Sequence, residues 1–165
     1  MSSRYDDEHE IRNVLYRYCR GVDRRDFDLV RSCYHPDATD DHGNFMGGVD
    51  DFIEFITIGL QRYEQTMHVI ANVLIDVEGD VAHSEAYTLA FHRVRATTTK
   101  PVRDYTVGLR YVDRFERRDG RWAIADRVCA FSFQRVDPCE PLMEWMPGFT
   151  VAKPTPDDVI HRPFP

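Results

Sequence analysis

The hydrophobic period of this chain changes once. Apolar residues recur at helical spacing as far as Leu60 and alternate one by one from Thr66 onward. Helices followed by a run of antiparallel strands describe an α+β domain. From Asp7, the residues Ile11, Val14, Leu15, Tyr18, Cys19 and Val22 form a helical stripe that Asp6 or Asp7 can cap. Gly21 and the polar run Asp23-Arg24-Arg25 weaken that helix, and Asp26 restarts a second one carrying Phe27, Val30, Cys33 and Tyr34, with Pro36 as its expected end. Ala38 to Phe45 reads as a short strand or hairpin around His42-Gly43-Asn44. A third helix from near Asp50 buries Phe52, Ile53, Phe55, Ile56 and Leu60.

The strand region carries its own punctuation. Met67, Val69, Ala71, Val73 and Ile75 alternate with His68, Ile70, Asn72 and Leu74 before a turn at Glu78-Gly79-Asp80. The following strand has one face of Ala82, Ser84, Ala86, Thr88, Ala90 and His92, small enough to admit a packed helix or a ligand. Two further strands, Asp104 to Arg117 and Arg121 to Arg135, are joined through Asp119-Gly120, a strong hairpin signal. Residues 1–136 therefore read as one domain. Residues 137–165 hold seven of the nine prolines together with Met143, Trp145, Met146 and Phe149, and read as a tail that packs on the domain or on a neighbouring subunit.

A net charge of −7 disfavours phosphate backbones and anionic lipid surfaces, so neither nucleic acid nor membrane is an expected partner. No stretch approaches a membrane span and the N-terminus lacks an apolar leader, which points to the cytoplasm. Cys19, Cys33, Cys129 and Cys139 have neither zinc spacing nor a secretory context and read as core residues.

Polar residues on apolar faces mark the candidate chemistry. His68 shares a strand face with Ile70 and Leu74, where an imidazole needs a carboxylate or carbonyl to fix its tautomer. Asp23 flanks the first helical stripe beside Cys19 and could turn inward, and Tyr18 lies within the stripe. Arg127 stands among Ala123, Ala125, Cys129 and Phe131 and requires an anion or a buried acid. His92 can join the same pocket. His35, Asp40, Asp41 and His42 crowd the first strand without a diagnostic metal spacing, and no metal is expected.

Four segments taken in order resemble the SnoaL-like family of the nuclear transport factor 2-like superfamily: Leu15 to Asp23, His35-Pro36-Asp37-Ala38, Thr66 to Asn72, and Tyr111 to Trp122. The resemblance implies a cystatin-like α+β cone, a curved antiparallel sheet wrapped around the N-terminal helices with a deep pocket. Its nearest site patterns are those of scytalone dehydratase, bile-acid 7α-dehydratase and hexachlorocyclohexane dehydrochlorinase, which eliminate water or HCl from small cyclic compounds without a cofactor. It implies Asp23 and His68 as an acid-base pair, with Tyr18 and Arg127 as further catalytic residues and His92, Asn72, Ala90 and Phe131 at the substrate. The bile-acid pattern has an acid where this chain has Ala90. The expectation is a cofactor-independent dehydratase acting on a small apolar cyclic substrate, with an isomerase or a non-catalytic binder of a hydrophobic molecule as alternatives. A homo-oligomer is expected, a trimer before a dimer.

Overall fold

Ser3 opens the first helix: its hydroxyl accepts the Asp6 backbone N–H, and the Asp6 carboxylate accepts the Ser3 N–H at 3.0 Å. The helix therefore begins one turn earlier than the apolar stripe suggests. Asp7 is a buried anchor rather than a cap, accepting from Trp122 Nε1 at 3.0 Å and Arg117 Nη1 at 2.7 Å. The computed structural model describes residues 3–139, 144–154 and 157–161, and the expectation for Met143 falls outside them.

Helix α1 (Arg4–Arg24) stops where Arg25 adopts a left-handed conformation at φ 55°, and Asp26 caps the short α2 (Phe27–Ser32) through its bond from the Leu29 N–H. Gly21 lets the two helices touch, since a Cβ there would lie 2.7 Å from a Val30 methyl. Strand β1 (Tyr34–Asp41) follows directly and contains Pro36, which thus sits in a strand and not at a helix end. An irregularity in its pairing between Tyr34 and Thr39 accommodates the missing N–H. After β2 (Met46–Gly48) come α3 (Val49–Gly59) and one 3-10 turn, Leu60–Arg62.

Strands β3 (Tyr63–Glu78), β4 (Val81–Val94), β5 (Arg103–Arg118) and β6 (Arg121–Pro138) form an antiparallel meander, and β1 joins β6 in parallel. The sheet has six strands in the order β2-β1-β6-β5-β4-β3, so it is curved but not closed, and the fold class is α+β. Its inner face and the helices bury Ile11, Leu15, Phe52, Tyr111, Phe115 and Trp122. The β5–β6 hairpin turns through Asp119 and Gly120, both at positive φ. No helix among the described residues is long and apolar enough to cross a membrane.

Four bulges in the meander alter which side chains face inward, the first at Glu64 bringing Tyr63 to the same side as His68. Between Ile70 and Val73 the β3–β4 register shifts, so the inner face runs His68, Ile70, Val73, Ile75, Val77. Leu74 is 67% exposed and does not share a face with His68. A shift in β6 at Ala125 puts Trp122 and Ile124 on the same side as Arg127, and another at Ser132 adjusts the strand near Phe131. The small-residue face of β4 lies opposite the large residues of β5: Ala82 pairs with Phe115, Ser84 with Asp113 and Ala86 with Tyr111. That stripe is consumed by the core, and only its far end opens to a cavity.

Candidate active site

Asp23 occupies the last turn of α1 and reaches across to β3. Its Oδ1 accepts from His68 Nδ1 at 2.7 Å and from the Thr66 hydroxyl at 2.9 Å, and its Oδ2 accepts the His68 backbone N–H at 2.9 Å. The helix end is itself fixed, because the Arg25 guanidinium donates to the carbonyls of Tyr63 at 2.7 Å and Leu60 at 3.3 Å. Burial pushes the Asp23 carboxyl up, but the bonds from His68 and Thr66 and the nearby imidazole outweigh it and hold the group below its ordinary value. The carboxylate thus remains ionised and fixes His68 in the tautomer with hydrogen on Nδ1, leaving Nε2 as the nitrogen free to act.

His68 lines a cavity of about 480 Å³ between α3 and the open end of the sheet. Ala90 stands beside it as its cross-strand partner, and His92, Tyr63, Tyr105, Tyr111 and Phe131 belong to the same wall, with Arg62 and Arg103 also lining the cavity. The His92 ring lies 5.5 Å from that of His68 and edge-on to it, and its Nδ1 donates to the Tyr105 carbonyl at 3.1 Å. Burial, reinforced by His68, pushes His92 down to about 4. His92 is therefore a neutral imidazole whose remaining nitrogen is a lone-pair acceptor.

Tyr18 and Arg127 are not in this wall. Both are buried beneath it, with the Arg127 guanidinium held between the rings of Tyr111 at 4.1 Å and Tyr18 at 4.2 Å. Arg127 makes a bidentate pair with Asp113, 2.7 Å on each arm, because the two residues face each other across β5 and β6. Burial alone would lower the guanidinium, yet Asp113 holds it well above its ordinary value. Arg127 thus finds a buried acid and supports Tyr111 from behind. Asn72 is exposed at the β3 bulge and does not reach the cavity.

Tyr63, Tyr105 and Tyr111 join the wall although none stands out in the sequence as a polar residue on an apolar face. The β5 tyrosines were signalled by alternation, since Tyr105, Val107, Leu109 and Tyr111 fall on one strand face. The two histidines of the first-strand cluster have different surroundings. His35 is satisfied in the core, with its Nε2 2.9 Å from the Glu116 carbonyl. His42 instead lines the cavity, and its Nδ1 lies 2.9 Å from Asp40 Oδ1 and 3.3 Å from Cys129 Sγ. The possible ligand atoms of Asp40, His42 and Cys129 all lie within 4.8 Å of one another.

A family model described as a SnoaL-like domain matches residues 3–128. Rv2910c, an uncharacterised protein of Mycobacterium tuberculosis, is 30% identical over 135 residues, 79% of this chain and 88% of its own length. Among solved structures, a hexachlorocyclohexane dehydrochlorinase (LinA) of type 2 superposes with a TM-score of 0.75 at 18% identity, covering 88% of this chain and 97% of that one. A scytalone dehydratase-like protein from Novosphingobium aromaticivorans gives 0.69 at 19% identity, covering 84% and 95%. At such identities the superpositions establish a shared fold.

Proposed function

Because the chain belongs to the SnoaL-like domain family, we propose that it is a cofactor-independent lyase, a dehydratase acting on a small cyclic or polycyclic hydroxylated compound. The observation that carries this reading is the Asp23–His68 pair: a carboxylate bound to both the ring and the backbone of one histidine, at the wall of a cavity lined by aromatic and aliphatic side chains. His68 Nε2 takes a proton from a carbon next to a carbonyl, and Asp23 stabilises the imidazolium that results. The electron pair left on carbon forms the new double bond, the C–O pair leaves on oxygen, and that oxygen takes up a proton from an acid in the cavity to depart as water. The similarity to a dehydrochlorinase and to a scytalone dehydratase-like protein supports an elimination.

His92 serves as a substrate-binding residue. As a neutral ring with Nδ1 committed to a carbonyl, it accepts a hydrogen bond from a substrate hydroxyl and so orients the molecule over His68. Ala90 leaves room for a ring to approach the His68 side chain, and Phe131 covers it. Tyr18 and Arg127 act through Tyr111 as positioning residues.

A screen of hydroxylated steroids and phenolic ketones for loss of water, read by mass spectrometry, tests the proposal. At least one compound should be dehydrated by the full chain and none by His68→Gln. A product with a shifted double bond and no water lost would identify an isomerase instead. A compound bound equally well by both proteins and converted by neither would identify a binding module.

A further inference from the structure

We propose that Asp40 and His42 form a second carboxylate-backed imidazole in the same cavity, and that His42 protonates the departing oxygen while His68 removes the proton from carbon. This inference rests on the lyase reading above.

Geometry places the two histidines apart around one space. His42 follows β1 directly and His68 lies on β3, and in the sheet order β6, β5 and β4 stand between those strands. Both side chains line the same cavity, so a molecule bound there meets one from each side. Asp40, fully buried, directs one oxygen to His42 Nδ1 at 2.9 Å and accepts the Tyr34 hydroxyl on the other at 2.7 Å. With Nδ1 so committed, Nε2 is the ring nitrogen of His42 left to serve the cavity, with Cys129 Sγ 3.8 Å from it.

Charge distinguishes the two pairs. Behind Asp40 the chain of contacts continues from Tyr34 to Arg127, whose Nη1 lies 3.4 Å from the Tyr34 hydroxyl, and from Arg127 to the buried Asp113. The single guanidinium is committed to Asp113 by both of its arms, so two buried carboxylates share one permanent cation. His42, 2.9 Å from Asp40, is the group that faces the remaining carboxylate, and a proton taken up on its ring would place a second cation there. The other groups around His42 are the Cys129 thiol, whose burial holds it well above its ordinary value, and the rings of Phe52 and Tyr111.

The step balances. The C–H pair becomes the double bond, the C–O pair leaves on oxygen, and the Nε2–H of His42 goes to that oxygen, releasing water. His68 ends protonated and His42 neutral, and exchange with solvent resets both. A metal ion held by Asp40, His42 and Cys129 is the competing use of the cluster. It is disfavoured because both Asp40 oxygens and His42 Nδ1 already have hydrogen-bond partners and burial opposes the thiolate.

The test takes a β-hydroxy ketone turned over in the screen and its β-chloro counterpart, since chloride leaves without a proton. In His42→Gln the ratio of hydroxy to chloro rates should fall ~10²-fold or more. An unchanged ratio would overturn the acid role of His42. Loss of neither activity in His68→Gln would overturn the lyase reading itself, a separate result. Without substrate, ring-nitrogen NMR at neutral pH should find both His42 nitrogens protonated in the wild type and one in Asp40→Asn, and the same neutral ring in both would overturn the proposal. So would stoichiometric binding of zinc chloride that His42→Gln abolishes.

Discussion

Replacing Asp23 by Asn keeps the shape of the side chain and removes its charge. The carboxylate accepts three hydrogen bonds, two on Oδ1 and one on Oδ2. An amide supplies only one oxygen, so if it serves Thr66 and the His68 ring, its NH2 meets the His68 backbone N–H donor to donor. Leaving such a donor unpaired costs ~1–3 kcal/mol, which moves the urea midpoint without preventing folding. The effect on chemistry is larger in kind, because the imidazolium loses its counter-charge and the ring loses the acceptor that keeps hydrogen on Nδ1. Turnover of a compound found in the screen should fall ~10²-fold or more, equivalent to ~3 kcal/mol of barrier. Ring-nitrogen NMR reads the tautomer of His68 directly. The pH dependence has a definite sign. Because Asp23 is held below its usual 3.8 in the folded protein, it contributes stability above that pH and loses it as the pH falls through the lower folded value. Asp23→Asn should lack that part of the acid limb. An unchanged His68 tautomer together with unchanged turnover would refute the reasoning.

Three other outcomes are expected. Arg127→Leu leaves Asp113 as an unpaired buried acid and should cost ~3–5 kcal/mol. A thermal scan should show a fall of roughly 6–20 °C, and Arg127→Met combined with Asp113→Leu should recover much of it. His92 is pushed from 6.5 down to about 4, so the unfolded chain binds the extra proton between those values and stability should drop by up to ~3 kcal/mol as the pH falls through that window. His92→Gln should flatten the denaturation midpoint against pH over the same range. Trp145, Met146 and Phe149 are exposed by more than half, and we expect them to be covered in a homotrimer. Sedimentation should find a trimer for the full chain and a monomer for a chain ended at Pro138; a monomer for both would exclude the trimer, and a trimer for both would exclude the tail as its cause.

The elements that depend on local chemistry were readable, and those that depend on register were not. The Asp119-Gly120 turn, the stripe from Ile11 to Val22 and the third helix each follow from residues a few positions apart. His68 and Asp23 are 45 residues apart, and only the family pattern brought them together. Arg127 was recognised as needing an anion or a buried acid, but which one it finds depends on its pairing with Asp113 across two strands. Asn72 and Leu74 were placed by unbroken alternation, which the bulge interrupts. Pro36 reads locally as a stop, whereas the irregular stretch of β1 beside β6 receives it. The Asp40–His42 contact is two residues apart and was within reach of an Asx-type argument, but its cavity-facing position required the fold.

The β3 bulge has a consequence for how this protein can change over time. His68 and Ile70 point inward at even positions, while Val73, Ile75 and Val77 point inward at odd ones, so the strand switches parity across the exposed pair Ala71 and Asn72. Either of those two residues can be exchanged freely, since neither side chain is buried. Neither can simply be lost. Removing one would restore strict alternation along the strand and set its two halves against each other: with Ile75 kept in the core, His68 turns to solvent and away from Asp23, and with His68 kept in the cavity, Ile75 and Val77 leave the core. Relatives that keep both the histidine and the strand should therefore vary in composition at this point and conserve length, so that spacing rather than identity is inherited there.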